Sequence, residues 1–215
     1  MALFDLDNTL IGGDSDVLWG DFLAEHGYVD GRAYRREHER YYRDYLEGTL
    51  DIHDFLRFQL RILTTRPLDE LAKWREQFIE EKIRPLLLPA ARELIEHHRS
   101  QGDRLLVITA TNRFITEPIV KLLGISELIA SEPEMVDGRY TGEVAGVPSY
   151  AQGKVIRLRQ WLRENGGDLE RSWFYSDSHN DLPLLELVEH PVAVDPDEVL
   201  AAEARRRGWP IMSLR

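Results

Sequence analysis

The sequence predicts a doubly wound α/β fold, a parallel sheet covered by helices on both faces. Three observations support it. Short apolar, partly β-branched stretches recur along the 215 residues, helix-like amphipathic segments separate them, and the two kinds alternate for most of the chain. Apolar runs of this length suit strands buried on both faces. The first is Ala2–Leu6, and the clearest is Leu105-Leu106-Val107-Ile108-Thr109. Leu128–Ala130, Trp173–Tyr175, Pro191–Val194 and Ile211–Leu214 follow. Among the helices, Val155, Leu158 and Leu162 fall at i, i+3 and i+7, with Gly166 as the stop.

Two stretches break the alternation. From about Gly13 to Arg84 there is almost no strand signal, and aromatic and leucine side chains recur at helical spacing among many charges. Several helices inserted after the first strand make a small helical domain, a cap. Arg84-Pro85 and Pro89 mark the return to the core, because proline biases its predecessor away from helix. The expected organisation is a core of residues 1–12 and 85–215 and a cap of residues 13–84, hinged at Gly12-Gly13 and at Arg84–Pro89. The second break is Met135–Val147. There Asp137-Gly138, between short alternating segments, predicts a type I′ turn and a β-hairpin flap.

Composition narrows the function. A hydrophobic content of 43% with 30% charged residues describes a soluble globular protein. No apolar run approaches the roughly 18 residues of a membrane span. The N-terminus carries no secretory pattern, so a cytoplasmic location and no membrane partner are expected. The absence of cysteine excludes disulfides, thiolate metal sites and a thiol nucleophile. A net charge of −11 opposes a nucleic-acid partner. The basic run Arg205-Arg206-Arg207 reads as a solvated helix C-terminus. Whether the chain is a monomer or a dimer is not legible.

Chemistry-bearing residues gather at the predicted strand ends, where α/β sheets hold their ligands. Asp5 and Asp7 lie on one side of an extended chain. Carboxylates that close repel, and a divalent cation relieves the repulsion. Oxygen-only ligands suit Mg²⁺. Taken alone, the pair also reads as a turn or a helix cap. Thr109-Ala110-Thr111-Asn112 ends the second strand and opens a helix, which is either an anion site or a plain N-cap. Lys154, after Gly153, stands at the unfavourable end of a helix dipole and either meets an anion or faces solvent. In Tyr175-Ser176-Asp177-Ser178-His179-Asn180-Asp181, Asp177 reads as a further metal ligand, and Asp181 as a ligand or a cap.

The set DLDNT, VITAT, GK and SDSHND, in this order and spacing, resembles the haloacid dehalogenase superfamily. It is most similar to the phosphoserine-phosphatase-like branch, whose helical C1 cap follows the first strand of a Rossmann-like core. The resemblance spans essentially the whole chain. It implies a phosphoric monoester hydrolase in which Asp5 takes the phosphoryl group and Asp7 acts as general acid and then base. Mg²⁺ would be held by Asp5, the main-chain carbonyl of Asp7 and Asp177, with Asp181 in support. Thr109 and Lys154 would hold phosphoryl oxygens, with Ala110 beside them. Phospho-switch receiver domains use a similar residue set, but they lack a cap and carry the acceptor on a later strand.

The resemblance also bears on the substrate, a small phosphomonoester. Asp14 occupies the position where phosphoserine phosphatases place an acid against the substrate ammonium, and Asn180 matches another position near the substrate. Their carboxylate-gripping cap arginine falls near Gln59 here, with Arg57 and Arg61 as neighbours. Their Ser-Gly-Gly after the second strand is Thr109-Ala110-Thr111 here. An acid for an ammonium, without a clear carboxylate clamp, points to an amino-alcohol phosphate. Histidinol phosphate fits, and phosphoserine is the alternative. Trp19, Tyr41, Tyr42 and Tyr45 read as helix packing, with pocket lining for an imidazole as the other reading. His97-His98 reads as an exposed helix face, and His179 lies beside the metal motif without a required role.

Overall fold

In the computed structural model, which describes residues 1–215, the chain begins with β1 (Ala2–Phe4). Four helices follow: α1 (Ser15–Glu25), α2 (Gly31–Leu46), α3 (Ile52–Leu60) and α4 (Leu68–Phe78). The chain then passes through α5 (Pro89–Ser100), β2 (Leu105–Asn112), α6 (Arg113–Leu122), β3 (Glu127–Val136) and β4 (Arg139–Ala145). It ends with α7 (Gln152–Asn165), β5 (Trp173–Ser176), α8 (Leu182–Leu185), β6 (His190–Val194), α9 (Glu198–Arg207) and β7 (Ile211–Met212). No helix is long and apolar enough to cross a membrane.

The seven strands form one sheet in the order β4-β3-β2-β1-β5-β6-β7, and only the β3–β4 pair is antiparallel. The chain winds outward from β1 and then returns to place β5 on its other side. The carboxyl ends of β1 and β5 therefore flank the point where the winding reverses, the usual ligand position in such sheets. Phe4 pairs with Tyr175, so Asp5 and Ser176-Asp177 leave the sheet side by side.

Alternating strand residues feed two cores, as the pleat requires. Phe4, Val107, Tyr175 and Val194 face a cluster that includes Trp19, Phe22, Phe78 and Phe114. Leu3, Leu106, Ile108, Phe174 and Ala193 face a second cluster, closed by Val155 and Leu158 of α7 and by Leu200 and Ala204 of α9. Side-chain caps start the helices. Asp14, Asp30, Asp51 and Asp197 accept first-turn N–H groups of α1, α2, α3 and α9, and Asn112 does so for α6. Gly166, at a φ of 72°, is the C-cap of α7, and Gly208 is the left-handed C-cap of α9.

The helical insertion is not uniform. α1, α4 and, through Leu56 and Leu60, α3 contribute to the main core, whereas Tyr34, Tyr41 and Phe58 form a small cluster of their own between α2 and α3. Its two connections to the core pair with each other. Ile11 bridges Leu87, and the Gly12 N–H donates to the Leu86 carbonyl at 2.8 Å.

Two elements differ from the sequence reading. The third strand and the flap are one continuous element, because β3 runs from the sheet through Pro133 to the turn. Glu132, Pro133 and Glu134 mask it in the sequence, but beyond residue 131 the strand pairs only with β4, away from the sheet interior. The turn itself has positive φ at Asp137 and Gly138, as type I′ demands. Secondly, His97 is exposed but His98 is buried. Its Nδ1 donates to Asp103 at 2.7 Å, and its Nε2 accepts the Tyr175 hydroxyl at 2.8 Å. Partners from β5 and from the loop after α5 make the site buried, and no local pattern reports them. Replacing Tyr175 with Phe strips a buried Nε2 of its donor. A loss of about 1–3 kcal/mol is expected in denaturant-unfolding measurements.

Candidate active site

The end of β1 sets the first position. The Asp5 N–H still donates to the Tyr175 carbonyl at 2.9 Å, so its carboxylate leaves a fixed backbone. Asn8 then takes a φ of 56°, a left-handed conformation that asparagine tolerates, and turns the chain out of the sheet. The buried Thr9 donates its hydroxyl to Asp177 Oδ1 at 3.2 Å.

Lys154 arrives from the other side, in the first turn of α7. Its approach depends on Gly153, where a Cβ would lie 2.0 Å from the Pro148 carbonyl oxygen. Ala151, just before the helix, holds a φ of 47°, a conformation strained for a residue with a side chain. The Lys154 ammonium is 3% exposed and donates to Asp5 Oδ1 and Asp181 Oδ2, each at 2.7 Å. Asp181 Oδ2 also accepts the Ser176 hydroxyl at 2.7 Å.

Asp7 is held separately. Oδ1 accepts the Ser15 N–H at 2.7 Å, and Oδ2 accepts the Thr111 hydroxyl at 2.9 Å. The Thr111 N–H donates to Thr109 Oγ1, which leaves the Thr109 hydroxyl proton free. Asn180 accepts from the Tyr150 hydroxyl at 3.0 Å, and Tyr45 of α2 pairs with Ser178 at 2.7 Å across the cavity mouth.

Burial dominates the electrostatics. It pushes the Asp5 carboxyl up to about 7 against the pull of the Lys154 ammonium, with repulsion from Asp181 and Asp7 adding to the rise. Burial and then the Asp14 carboxylate raise Asp7 to about 6, while Ser15 and Thr111 pull it back. Asp177 is raised by burial and by its neighbours Asp5 and Asp181. Burial would lower Lys154, but Asp181 and Asp5 outweigh it and hold the ammonium charged.

These groups surround one cavity of about 220 Å³. Asp5, Asp7, Asp14, Thr109, Ala110, Lys154, Asp177, Asn180 and Asp181 all line it. No three acidic or imidazole side chains converge into a cage for a metal. Both Asp7 carboxylate oxygens are engaged, and Asp181 Oδ2 is taken by Lys154 and Ser176. The donors open to a cation are thus Asp5 Oδ2, Asp177 Oδ2, Asp181 Oδ1, main-chain oxygen and water. That hard, oxygen-only set fits Mg²⁺, which retains several waters.

Residues 2–186 match the family of haloacid dehalogenase-like hydrolases. The chain belongs to that family. It is similar to a histidinol-phosphatase of Neisseria meningitidis, 46% identical over 219 residues that cover 100% of this chain and 99% of that protein. A phosphoserine phosphatase of Mycobacterium tuberculosis is 33% identical over 217 residues, covering 100% of this chain and 70% of its own length. A crystal structure of a Bordetella pertussis protein of unknown function superposes with a TM-score of 0.95 at 43% identity, covering 100% and 98% of the two chains. A phospho-aspartyl intermediate analogue of phosphoserine phosphatase superposes with a TM-score of 0.71 at 20% identity, covering 100% and 92%, and so shares the fold.

Around this family site, several side chains take places the sequence did not settle. Asp14 lines the cavity but also caps α1, its Oδ1 accepting from Asp16 and Val17 N–H at 2.9 and 3.1 Å. Trp19 is packing, buried against Phe22, Phe78 and Phe114, whereas Tyr41, Tyr42 and Tyr45 line the cavity. Gln59 is buried and accepts the Tyr34 hydroxyl at 2.7 Å. Arg57 pairs with Asp54 and Glu143, Arg61 pairs with Glu37, and neither lines the cavity. His179 Nδ1 is bound to Asp197 at 2.8 Å. Sequence reasoning passed over Thr111 and Asp16. Thr111 stood inside the recognised strand-end stretch, whereas Asp16 carried no local signal.

Two outcomes are expected. Gly153→Ala forces the Pro148 carbonyl away and costs about 1–3 kcal/mol by denaturant unfolding, as overpacking does. In EDTA, wild-type stability falls as pH rises from about 4 to about 7. Asp5 and Asp7 titrate higher in the folded state than the unfolded value of 3.8, so the folded state holds more protons across that window. Thermal melts across that range should show a shallower fall for Asp5→Asn.

Proposed function

We propose that this hydrolase removes the phosphoryl group from histidinol phosphate through an aspartyl-phosphate on Asp5. Asp5 Oδ1 is anchored by Lys154, and Oδ2 accepts no hydrogen bond from the protein, which frees it for attack on phosphorus. As the Asp5–phosphorus bond forms, the ester P–O bond breaks, and Asp7 gives its proton to the departing alkoxide. Asp7 then takes a proton from a water whose oxygen attacks phosphorus, releasing phosphate and restoring Asp5. A carboxyl near 6 serves both steps around neutral pH. Lys154 and the free Thr109 hydroxyl offset charge on the phosphoryl oxygens. The residues that would hold Mg²⁺ are Asp5, Asp177 and the Asp7 carbonyl, with Asp181 supporting them through Lys154. The bound ion supplies positive charge against the repulsion between a phosphate dianion and a carboxylate nucleophile. Residues 13–84 serve as the cap over this site.

One observation carries the substrate reading. Lys154 is the only lysine or arginine that lines the cavity, and Asp5 and Asp181 already engage it. A substrate carboxylate, as in phosphoserine, would meet no cation there beyond the catalytic centre, whereas an amino alcohol meets Asp14. The similarity to the Neisseria meningitidis histidinol-phosphatase over nearly both full lengths supports the same choice.

With Mg²⁺ and a panel of phosphomonoesters, histidinol phosphate should give the highest kcat/KM. Faster turnover of phosphoserine would overturn the assignment. Asp5→Asn should lose turnover while keeping its circular dichroism spectrum and melting transition. EDTA should abolish activity, and added Mg²⁺ should restore it.

A further inference from the structure

We propose that Asp16 is a specificity-determining residue, its carboxylate accepting an N–H from a nitrogen heterocycle on the part of the substrate remote from the phosphate. The proposal rests on the phosphatase reading above and extends it to a second recognition point. Asp16 stands in the first turn of α1, is 5% exposed and lines the cavity. Its Oδ1 is buried without any hydrogen-bond partner. Such a group is costly unless something completes it. The charges closest in influence are Asp14 and Asp7, both negative, and they add to burial in opposing its ionisation.

The Asp16 carboxylate accepts no hydrogen bond from the protein, and its one structural part is the favourable place of an acid in a first helical turn. The cap of α1 is Asp14, whose Oδ1 already accepts two backbone N–H groups. The unsatisfied acceptor in this wall is therefore Asp16 Oδ1. Other cavity walls combine the aromatic Tyr41, Tyr42, Tyr45 and Phe55 with the aliphatic Leu46, Leu50 and Ile52. An acid and aromatic rings around one cavity suit a flat ring that carries a proton or positive charge on nitrogen. They suit neither a carboxylate nor an aliphatic hydroxyl tail.

The test compares Asp16→Asn with wild type on histidinol phosphate and on 4-nitrophenyl phosphate, which offers no N–H. The ratio of kcat/KM for the two esters should fall by about tenfold or more, the size of one charge-assisted hydrogen bond, mainly through KM for histidinol phosphate. An unchanged ratio overturns the proposal. A calorimetric titration needs no turnover: wild type should bind histidinol about tenfold or more tightly than phenylalaninol, which keeps the amine and alcohol but lacks the ring N–H. Asp16→Asn should lose that preference, whereas a preference kept by the variant overturns the proposal. Equal binding of the two, or no binding of histidinol, overturns the role of Asp16. If wild type hydrolyses neither ester, the phosphatase reading fails, and the titration still decides Asp16.

Discussion

A single buried ammonium ties this molecule together. Lys154 reaches from α7 to Asp5 at the end of β1 and to Asp181 beyond β5, so it joins the two strands that flank the winding reversal. Removing the ammonium itself costs about 3–5 kcal/mol, because the buried carboxylates left behind are uncompensated. The backbone around α7 serves the same end. The strained Ala151 and the side-chain-free Gly153 let the helix start against the Pro148 carbonyl. A larger residue at 153 would move the ammonium that both carboxylates require.

The lysine does not balance the site. Asp5, Asp177 and Asp181 share one cation, and Asp7 and Asp14 stand nearby. Two neighbouring carboxylates are consequently placed in different chemical states. Asp5 is ion-paired through one oxygen, whereas Asp7 receives only neutral donors, Ser15 N–H and the Thr111 hydroxyl, and sits beside the negative Asp14. The two carboxyls thus answer to different partners: Lys154 holds one Asp5 oxygen and leaves the other without a hydrogen bond, whereas both Asp7 oxygens accept neutral donors. The excess negative charge is also what a divalent cation and a phosphoryl centre would answer.

What the sequence disclosed follows the range of the interactions involved. Apolar strand runs, the Asp137-Gly138 turn and the spacing of the four motifs are local or nearly so, and the sheet follows from them. The aspartates at strand ends were conspicuous because a charge closing an apolar run demands a reason. His98 gave no such cue, since its partners Tyr175 and Asp103 lie on other elements. Asp14 shows how one residue holds two meanings, a helix cap in the first turn and a cavity wall in the tertiary fold. β3 was read short because its outer half answers to β4, whose pairing tolerates the polar residues that the sheet interior does not.

The first turn of α1 constrains how the cap can work. Ser15 N–H orients Asp7, and Asp14 and Asp16 line the cavity, so this turn belongs to the reacting centre and to the pocket at once. Moving it would release Asp7. Trp19 and Phe22 of the same helix lock it against Phe78 and Phe114 in the main core, and the Gly12–Leu86 hydrogen bond pins the connection before it. Because Phe78 lies within residues 13–84, a hinge at Gly12-Gly13 would break Trp19–Phe114 and Ser15–Asp7 but keep the Phe78 contacts. α2 and α3 share their own Tyr34–Tyr41–Phe58 cluster, α3 also sends Leu56 and Leu60 into the main core, and Tyr45 of α2 bonds Ser178. Both helices line the pocket, α2 through Tyr41, Tyr42 and Tyr45 and α3 through Ile52 and Phe55. Parting α3 from the core would expose Leu56 and Leu60, each 1% exposed in the fold, so apolar packing as well as polar contact holds these helices in place.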